Sequence, residues 1–276
     1  EKKEREEFVS LRQDITELEE YKNELEKKEK EEIEKRETQE NILIRQSRMA
    51  EMGEMLGVIA HQWKQPLNTL FLIVQDVKLA YEAKELDAKY IDEMTENALR
   101  SVTFMSETID DFRNFFKPEQ EKEAFCINDS ILMIEKILSL QIQQLSITLI
   151  KNIDKKLYAF GYQNEFKQVL LNIINNSKDA IKEHNPKSRD NKIIIDAFEE
   201  DRWVVVRVSD TGGGIPDGVI DRIFDNYFST KSKDVGTGLG LYMAKTIIEK
   251  KMNGILSASN IKDGAAFTIK LPKALR

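Results

Sequence analysis

MLGVIAHQWKQPLNTL, residues 55–70, sets a histidine, His61, in the middle of an otherwise apolar helical pattern. Leu56, Ile59 and Trp63 fall on one side at helical spacing, and Leu67 and Leu70 continue the pattern past Pro66. A proline inside a helix deletes one backbone hydrogen bond and bends the axis. A bend five residues after a histidine is an odd feature for a helix that only packs. Alone, His61 reads as a core histidine accommodated by its neighbours. The rest of the chain argues otherwise.

The 276 residues suggest about two domains. Charged residues make up 33% and hydrophobic ones 41%, enough of the latter to bury a core. A net charge of -7 argues against a nucleic-acid surface, which would carry a basic stripe. No apolar run approaches the roughly 20 residues of a membrane span. The chain opens EKKEREEF, with no signal peptide, no initial Met and a helical pattern already under way. It reads as a fragment of something longer, whose remainder could hold a membrane anchor. A single cysteine, Cys126, excludes an internal disulfide and a cysteine-based metal cage; it is expected as a small buried residue on a strand. The expected compartment is the cytoplasm.

Residues 1–45 are dominated by Glu and Lys and lack Pro and Gly. Phe8, Leu11, Ile15, Leu18 and Leu25 fit positions a and d of a heptad frame, which predicts a coiled-coil stalk. The frame weakens where Lys22 and Glu29 take a positions and Glu32 a d position. It resumes, one residue out of register, at Ile42, Met49, Met52, Leu56 and Ile59. A plain solvated helix laced with ion pairs is the rival reading. A stalk running without a breaker into the His61 helix could carry a rotation or shift to that residue. A turn is expected at residues 83–87, then a second helix with Ile91, Met94, Ala98, Val102, Met105, Ile109, Phe112 and Phe116 in its stripe. Lys117-Pro118 stops it. Two such helices cannot hide their stripes alone, but two copies make a four-helix bundle. Residues 46–118 are therefore expected as a homodimeric helical hairpin with His61 on its outer face.

Residues 119–276 mix helix and strand. Strands are expected at 125–127, 147–150, 157–160, 192–198, 203–209, 255–259 and 266–271, and helices at 129–143, 163–183 and 239–251. Helices grouped against a mixed sheet make an α+β sandwich. The whole chain thus reads as α plus α+β.

Three clusters in this region carry chemistry. Asn172 and Asn176, four apart on one helix, share a face. Unpartnered buried amides are costly, and an Asn oxygen is a fair Mg²⁺ ligand; amides capping a neighbouring loop are the plainer alternative. Asp210-Thr-Gly-Gly-Gly214 follows a strand directly. The aspartate can accept a hydrogen bond from an adenine amine, and the glycines let backbone approach a ligand. Gly236-Thr237-Gly238-Leu239-Gly240 opens a helix, where free N–H groups suit phosphate. It is neither the dinucleotide fingerprint nor a P-loop, because neither the following acid nor a Lys-Ser/Thr pair is present. Between the last two clusters, IFDNYFSTKSKDV reads as a lid anchored by Phe224 and Phe228, with Lys231 and Lys233 able to reach phosphates.

Together these residues resemble the sensor histidine kinases of bacterial two-component systems, over residues 46–273. The histidine box resembles residues 61–66 and the asparagine box residues 172–176. The first glycine box corresponds to Asp210, Gly212 and Gly214, the phenylalanine box to residues 224–231, and the second glycine box to Gly236, Gly238 and Gly240. DDFRNFFKP, residues 110–118, is similar to the end of the family's second bundle helix. The resemblance implies a dimeric four-helix bundle behind an N-terminal coiled coil, then an α/β-sandwich ATP-binding domain of the gyrase and histidine-kinase type. It implies ATP held by Asn172, Asn176, Asp210, Gly212, Gly214, Phe228, Thr230, Lys231, Gly236, Thr237, Gly238, Leu239 and Gly240, with Mg²⁺ on Asn176. His61 would take the γ-phosphoryl group and pass it to an aspartate of a response regulator, under an upstream sensor domain outside this stretch. Catalysis by positioning and charge neutralisation is general for phosphoryl transfer.

Two departures stand out. The family usually has an acid after the histidine; Gln62 can orient an imidazole but takes no proton at pH 7. Gln65, four residues after His61, has the chemistry to position water for dephosphorylating the regulator. Asp179 stands where many members carry a cation, a charge that Lys231 or Lys233 could supply. Among rivals, gyrase-type ATPases need a glutamate where this chain has Asn172, and anti-sigma serine kinases would not need the His61 hairpin. A kinase-inactive ATP-binding signalling scaffold, or a phosphatase-only protein, is the alternative that Gln62 keeps open.

Overall fold

A computed structural model describes residues 2–117, 119, 121–153, 155–184, 190–230 and 238–274 of the chain. Side chains are described from residue 18 onward, with residues 19, 20, 37, 51 and 54 excepted.

Helix α1 spans Lys2–Ala83. The chain forms two compact units, Glu1–Gln46 and Ser47–Arg276. In the first unit, Lys22–Glu26, Glu24–Lys28 and Lys27–Glu31 pair one turn apart on the exposed surface, where solvent screens them. Leu18, Leu25, Ile33 and Ile42 are exposed.

In the second unit α1 runs through Pro66, which is itself buried. The helix ends by an αL turn: Lys84 has φ +60, and the Glu85 N–H reaches back to the Ala80 carbonyl at 2.9 Å. Helix α2, Ala88–Phe116, starts at once because the Asp87 carboxylate accepts from the Tyr90 N–H at 2.7 Å. Tyr90 also donates its hydroxyl to Asp76 of α1, tying the hairpin near its turn. Residues 84–87 thus form the predicted connection. Pro118, expected as the stop of this helix, lies outside the described residues.

The sandwich follows in the order β1 (Glu123–Cys126), α3 (Ile127–Gln144), β2 (Thr148–Ile153), β3 (Tyr158–Gly161), α4 (Gln163–His184), β4 (Lys192–Glu200), β5 (Trp203–Asp210), α5 (Gly240–Thr246), β6 (Ile255–Ile261) and β7 (Gly264–Pro272). A five-stranded sheet has the order β2-β4-β5-β7-β6; β2 and β4 are parallel, and the other pairs are antiparallel. Strands β1 and β3 form a separate antiparallel pair. Alternation puts Ile193, Ile195 and Ala197 of β4 and Val204, Val206 and Val208 of β5 in the core. They meet Phe166, Leu170, Ile173 and Ile174 of α4 and Ile131, Ile134 and Leu138 of α3. Met55 of α1 and Phe115 of α2 join the same core, so the hairpin is seated on the sandwich.

Two expected boundaries move. Ile127, read as strand, begins α3: Cys126 is extended at φ -83, ψ 122, and the fully buried Ile127 sends its N–H to Leu157. The helix expected at residues 239–251 is α5 followed by a π-helical turn, Ile247–Lys251. The wider turn keeps Ile247, Ile248 and Met252 buried together. Cys126 is buried on β1, as its type suggested. No helix among the described residues is long and apolar enough to cross a membrane.

Candidate functional site

The largest cavity described, about 640 Å³, opens at the C-terminal end of β5 between α4 and the turn before β7. Asp210 forms its floor and is 4% exposed. Its Oδ1 accepts from the Gly212 N–H at 2.9 Å and the Ala265 N–H at 3.2 Å, and its Oδ2 accepts from the Ser177 hydroxyl at 2.9 Å. Burying a carboxylate is tolerable only with such partners. Three donors leave carboxylate lone-pair capacity facing the cavity.

The glycine turn after Asp210 is clamped on both sides. A Cβ on Gly212 would stand 2.7 Å from that of Ala180, and one on Gly213 would stand 2.5 Å from the His184 ring. Gly214, at φ +83, lies against Asn260. Asn260 accepts from the Ile215 N–H and donates to the Ile215 carbonyl, both at 2.7 Å. Substitution would push the turn off α4 or off the β6–β7 hairpin.

Asn172 and Asn176 line the wall formed by α4. The Asn176 Nδ2 donates to the Asn172 Oδ1 at 3.1 Å, so the Asn176 Oδ1 is the atom left to face a ligand. Gly240, the first residue of α5, abuts this pair; a Cβ there would meet the Asn172 amide at 2.4 Å. Gly238, at φ +64, leaves room for the Tyr227–Phe228 backbone, 2.5 Å from where its Cβ would be. Phe228 and Thr230 also line the cavity; Arg222 stacks over the Phe228 ring at 4.8 Å, and Lys245 over that of Phe224 at 4.9 Å.

Of the nucleotide residues expected from sequence, Asn172, Asn176, Asp210, Gly212, Gly214, Phe228, Thr230, Gly238 and Gly240 come together around this cavity. Leu239 is buried beside it and contributes no wall. Lys231, Lys233, Gly236 and Thr237 lie outside the described residues. Asp179 is on the wall. Ser177, His184, Ala265 and two residues of α1, Ser47 and Ala50, also belong to the cavity and were missed. An Asp-Gly pair between two strands, here Asp263-Gly264, is a hairpin-turn signal that the sequence reading passed over. Its packing on Asp210 was not legible.

His61, Gln62 and Gln65 sit apart from this cavity. His61 is exposed, and the Gln144 amide donates to its Nε2 at 3.3 Å. Gln62 and Gln65 line a smaller cavity of about 220 Å³ between α1, α2 and α3.

An α/β sandwich with a buried aspartate and clamped glycine turns around one cavity defines an ATP-binding domain. Residues 161–275 match the family described as histidine kinase-, DNA gyrase B- and HSP90-like ATPase. The two-component sensor PprA of Pseudomonas aeruginosa is 29% identical over 238 residues, covering 84% of this chain and 25% of its own length. Sporulation kinase A of Bacillus subtilis is 30% identical over 244 residues, covering 87% of this chain and 38% of its own length. The chain thus spans less than half the length of these relatives. Among solved structures, the catalytic domain of histidine kinase ThkA, in a nucleotide-free form, is similar at 28% identity with a TM-score of 0.50; the match covers 56% of this chain and 97% of that one. Residues 161–275 thus carry an ATPase domain of this family, and over more than four-fifths of its length the chain is similar to sensor histidine kinases.

Proposed function

We propose that the chain is a kinase core that autophosphorylates His61 from Mg-ATP and hands the phosphoryl group to an aspartate of a response regulator. The observation that carries this reading is a cavity walled by Asp210, Asn176 and the glycine turns, in a chain whose helical hairpin displays an exposed histidine. Adenine would sit on the open side of the Asp210 carboxylate. The Asn176 Oδ1 is a hard oxygen donor suited to Mg²⁺, with Asn172 holding its amide in place. When bound, the ion would neutralise charge on the phosphates.

In the transfer step a neutral ring nitrogen of His61 forms a bond to the γ-phosphorus. The bond to the β,γ-bridging oxygen breaks and ADP leaves with its electron pair. The ring proton goes to solvent or a lid group, since Gln62 cannot take it at neutral pH. Gln65 is exposed one turn further along and would orient water for the reverse duty, dephosphorylation of the regulator.

Residues 1–45 would act as the signalling stalk, 46–118 as the dimerising phosphotransfer hairpin and 119–276 as the catalytic domain. The dimer reading is supported by an apolar stripe left open on α1, comprising Met52, Leu56, Leu67, Phe71, Val74 and Tyr81. Ile91, Val102 and Ile109 on α2 extend it. Covering such a stripe with a second copy is the four-helix-bundle solution.

The test is incubation with γ-labelled ATP and Mg²⁺ beside His61→Ala and Asn176→Ala. Acid-labile, base-stable label lost in both variants is the expected result. ATP binding that depends on Asp210 without any label would favour the scaffold or phosphatase-only reading.

A further inference from the structure

The wall of the larger cavity carries the wrong charge for a triphosphate. Asp179, Glu183 and Asp210 line it, and among the described residues no Lys or Arg does. Cations on neighbouring turns are engaged elsewhere. Lys178 of α4 donates to Gln141 of α3, and to Asn175 at 2.9 Å. Arg222 lies over the Phe228 ring at 4.8 Å and beside Asp225 at 3.6 Å. Like charges in a cavity partly shut off from water repel more strongly than in bulk solvent. Phosphates reaching this wall therefore need a divalent cation with them.

Helix geometry selects the carboxylate that meets this ion. The starting point is the Asn176 Oδ1, the amide oxygen left to face a ligand. Asp179 is half-buried and stands three residues on. That is roughly 4.5 Å along the axis, on the same face of the helix. Glu183 stands seven residues on. That is roughly 10.5 Å along the axis, out of reach of an ion whose bonds are about 2.1 Å long. Asp210 already accepts from three donors. Mg²⁺ keeps several waters and is usually held by one or two carboxylates together with phosphate oxygens. An amide alone offers it no charge, and Asp179 supplies that charge one turn away.

We propose that Asp179 is the charged partner of Asn176 in holding Mg²⁺, directly or through one of the ion's waters. The chain then takes ATP as the metal complex and excludes the bare triphosphate. This rests on the ATP reading above and adds Asp179 to it.

Calorimetric titration of the full chain with a non-hydrolysable ATP analogue, in Mg²⁺ and again in EDTA, tests it. The parent is expected to bind roughly 100-fold more weakly in EDTA. Asp179→Asn keeps the shape and removes the charge. It is expected to bring that ratio to about tenfold, weakening binding with Mg²⁺ and strengthening it without. Asp179→Glu should stay near the parent, and so should Glu183→Gln, which removes a charge beyond the ion's reach. Paramagnetic resonance titration of Mn²⁺ with the analogue present gives a second readout. Mn²⁺ affinity should fall about tenfold in Asp179→Asn and hold in Glu183→Gln. A parent indifferent to Mg²⁺, or an Asp179→Asn ratio equal to the parent's, overturns the proposal. So does a Glu183→Gln ratio that falls as far, because charge anywhere on the wall would then suffice. Binding lost equally in both conditions assigns Asp179 a structural role and overturns it too. No binding by the parent in either condition removes the ATP reading itself.

Discussion

Asp210 shows how much one side chain can organise. It holds the glycine turn, the start of β7 and α4 through three hydrogen bonds, two of them to residues 33 and 55 positions away in sequence. Gly264 shields it: a Cβ there would fall 2.0 Å from the Asp210 carbonyl oxygen, which is rigid backbone. Gly264→Ala is therefore expected to cost about 1–3 kcal/mol of stability and to weaken nucleotide binding, read by denaturant melts and by titration with ATP. An unchanged affinity would mean that the hairpin tip does not position Asp210. Asn172, Asn176, Asp210 and the glycines were legible from residue type and spacing, because each cluster is local. Ser177, Asn260 and Gly264 were not, because each matters only through a partner that the fold brings from far along the chain.

At the scale of elements, the hairpin and the α/β alternation were readable from periodicity. The π-helical turn was not: over five residues, helical patterns of different pitch place apolar side chains alike. Caps were readable in principle, and Asp87 is one that can be tested. Asp87→Ala removes the acceptor for Tyr90 N–H and is expected to lower stability by about 1 kcal/mol, measured by thermal or urea unfolding. The segment joining α2 to β1 offers a pH test. Burial raises the Glu119 carboxyl above its ordinary value, against the pull of the Asn164 N–H that it accepts at 2.8 Å. A raised carboxyl favours the fold when protonated, and this contribution is lost as pH rises through the folded value. Glu119→Gln should therefore melt higher than the parent at about pH 8 and match it at about pH 4. An equal difference at both would assign the effect to shape instead of charge.

For the molecule as a whole, the apolar stripe on α1 and α2 was visible as a pattern; Leu56, Leu67, Ile91, Val102 and Ile109 of it stand exposed in the single chain, whereas Phe112 and Phe116 pack against the core of the sandwich. Phe71, 62% exposed near the middle of the α1 stripe, is the position to disrupt. Phe71→Glu is expected to convert a dimer to a monomer by light scattering; a parent that is already monomeric contradicts the dimer. The seating of Ser47 and Ala50 at the ATP cavity was not legible, since neither carries a chemical signal and their place depends on how the hairpin meets the sandwich.

The chain contains only two histidines, His61 on the hairpin and His184 on the cavity wall itself. That makes one measurement decisive: peptide mapping by mass spectrometry under alkaline conditions after incubation with Mg-ATP. A phosphoryl group on the peptide bearing His61, with His184 unmodified, is the predicted result. Phosphate on His184, or on neither histidine while ATP is bound, would contradict the assignment of His61 as the residue that the ATP-binding domain serves.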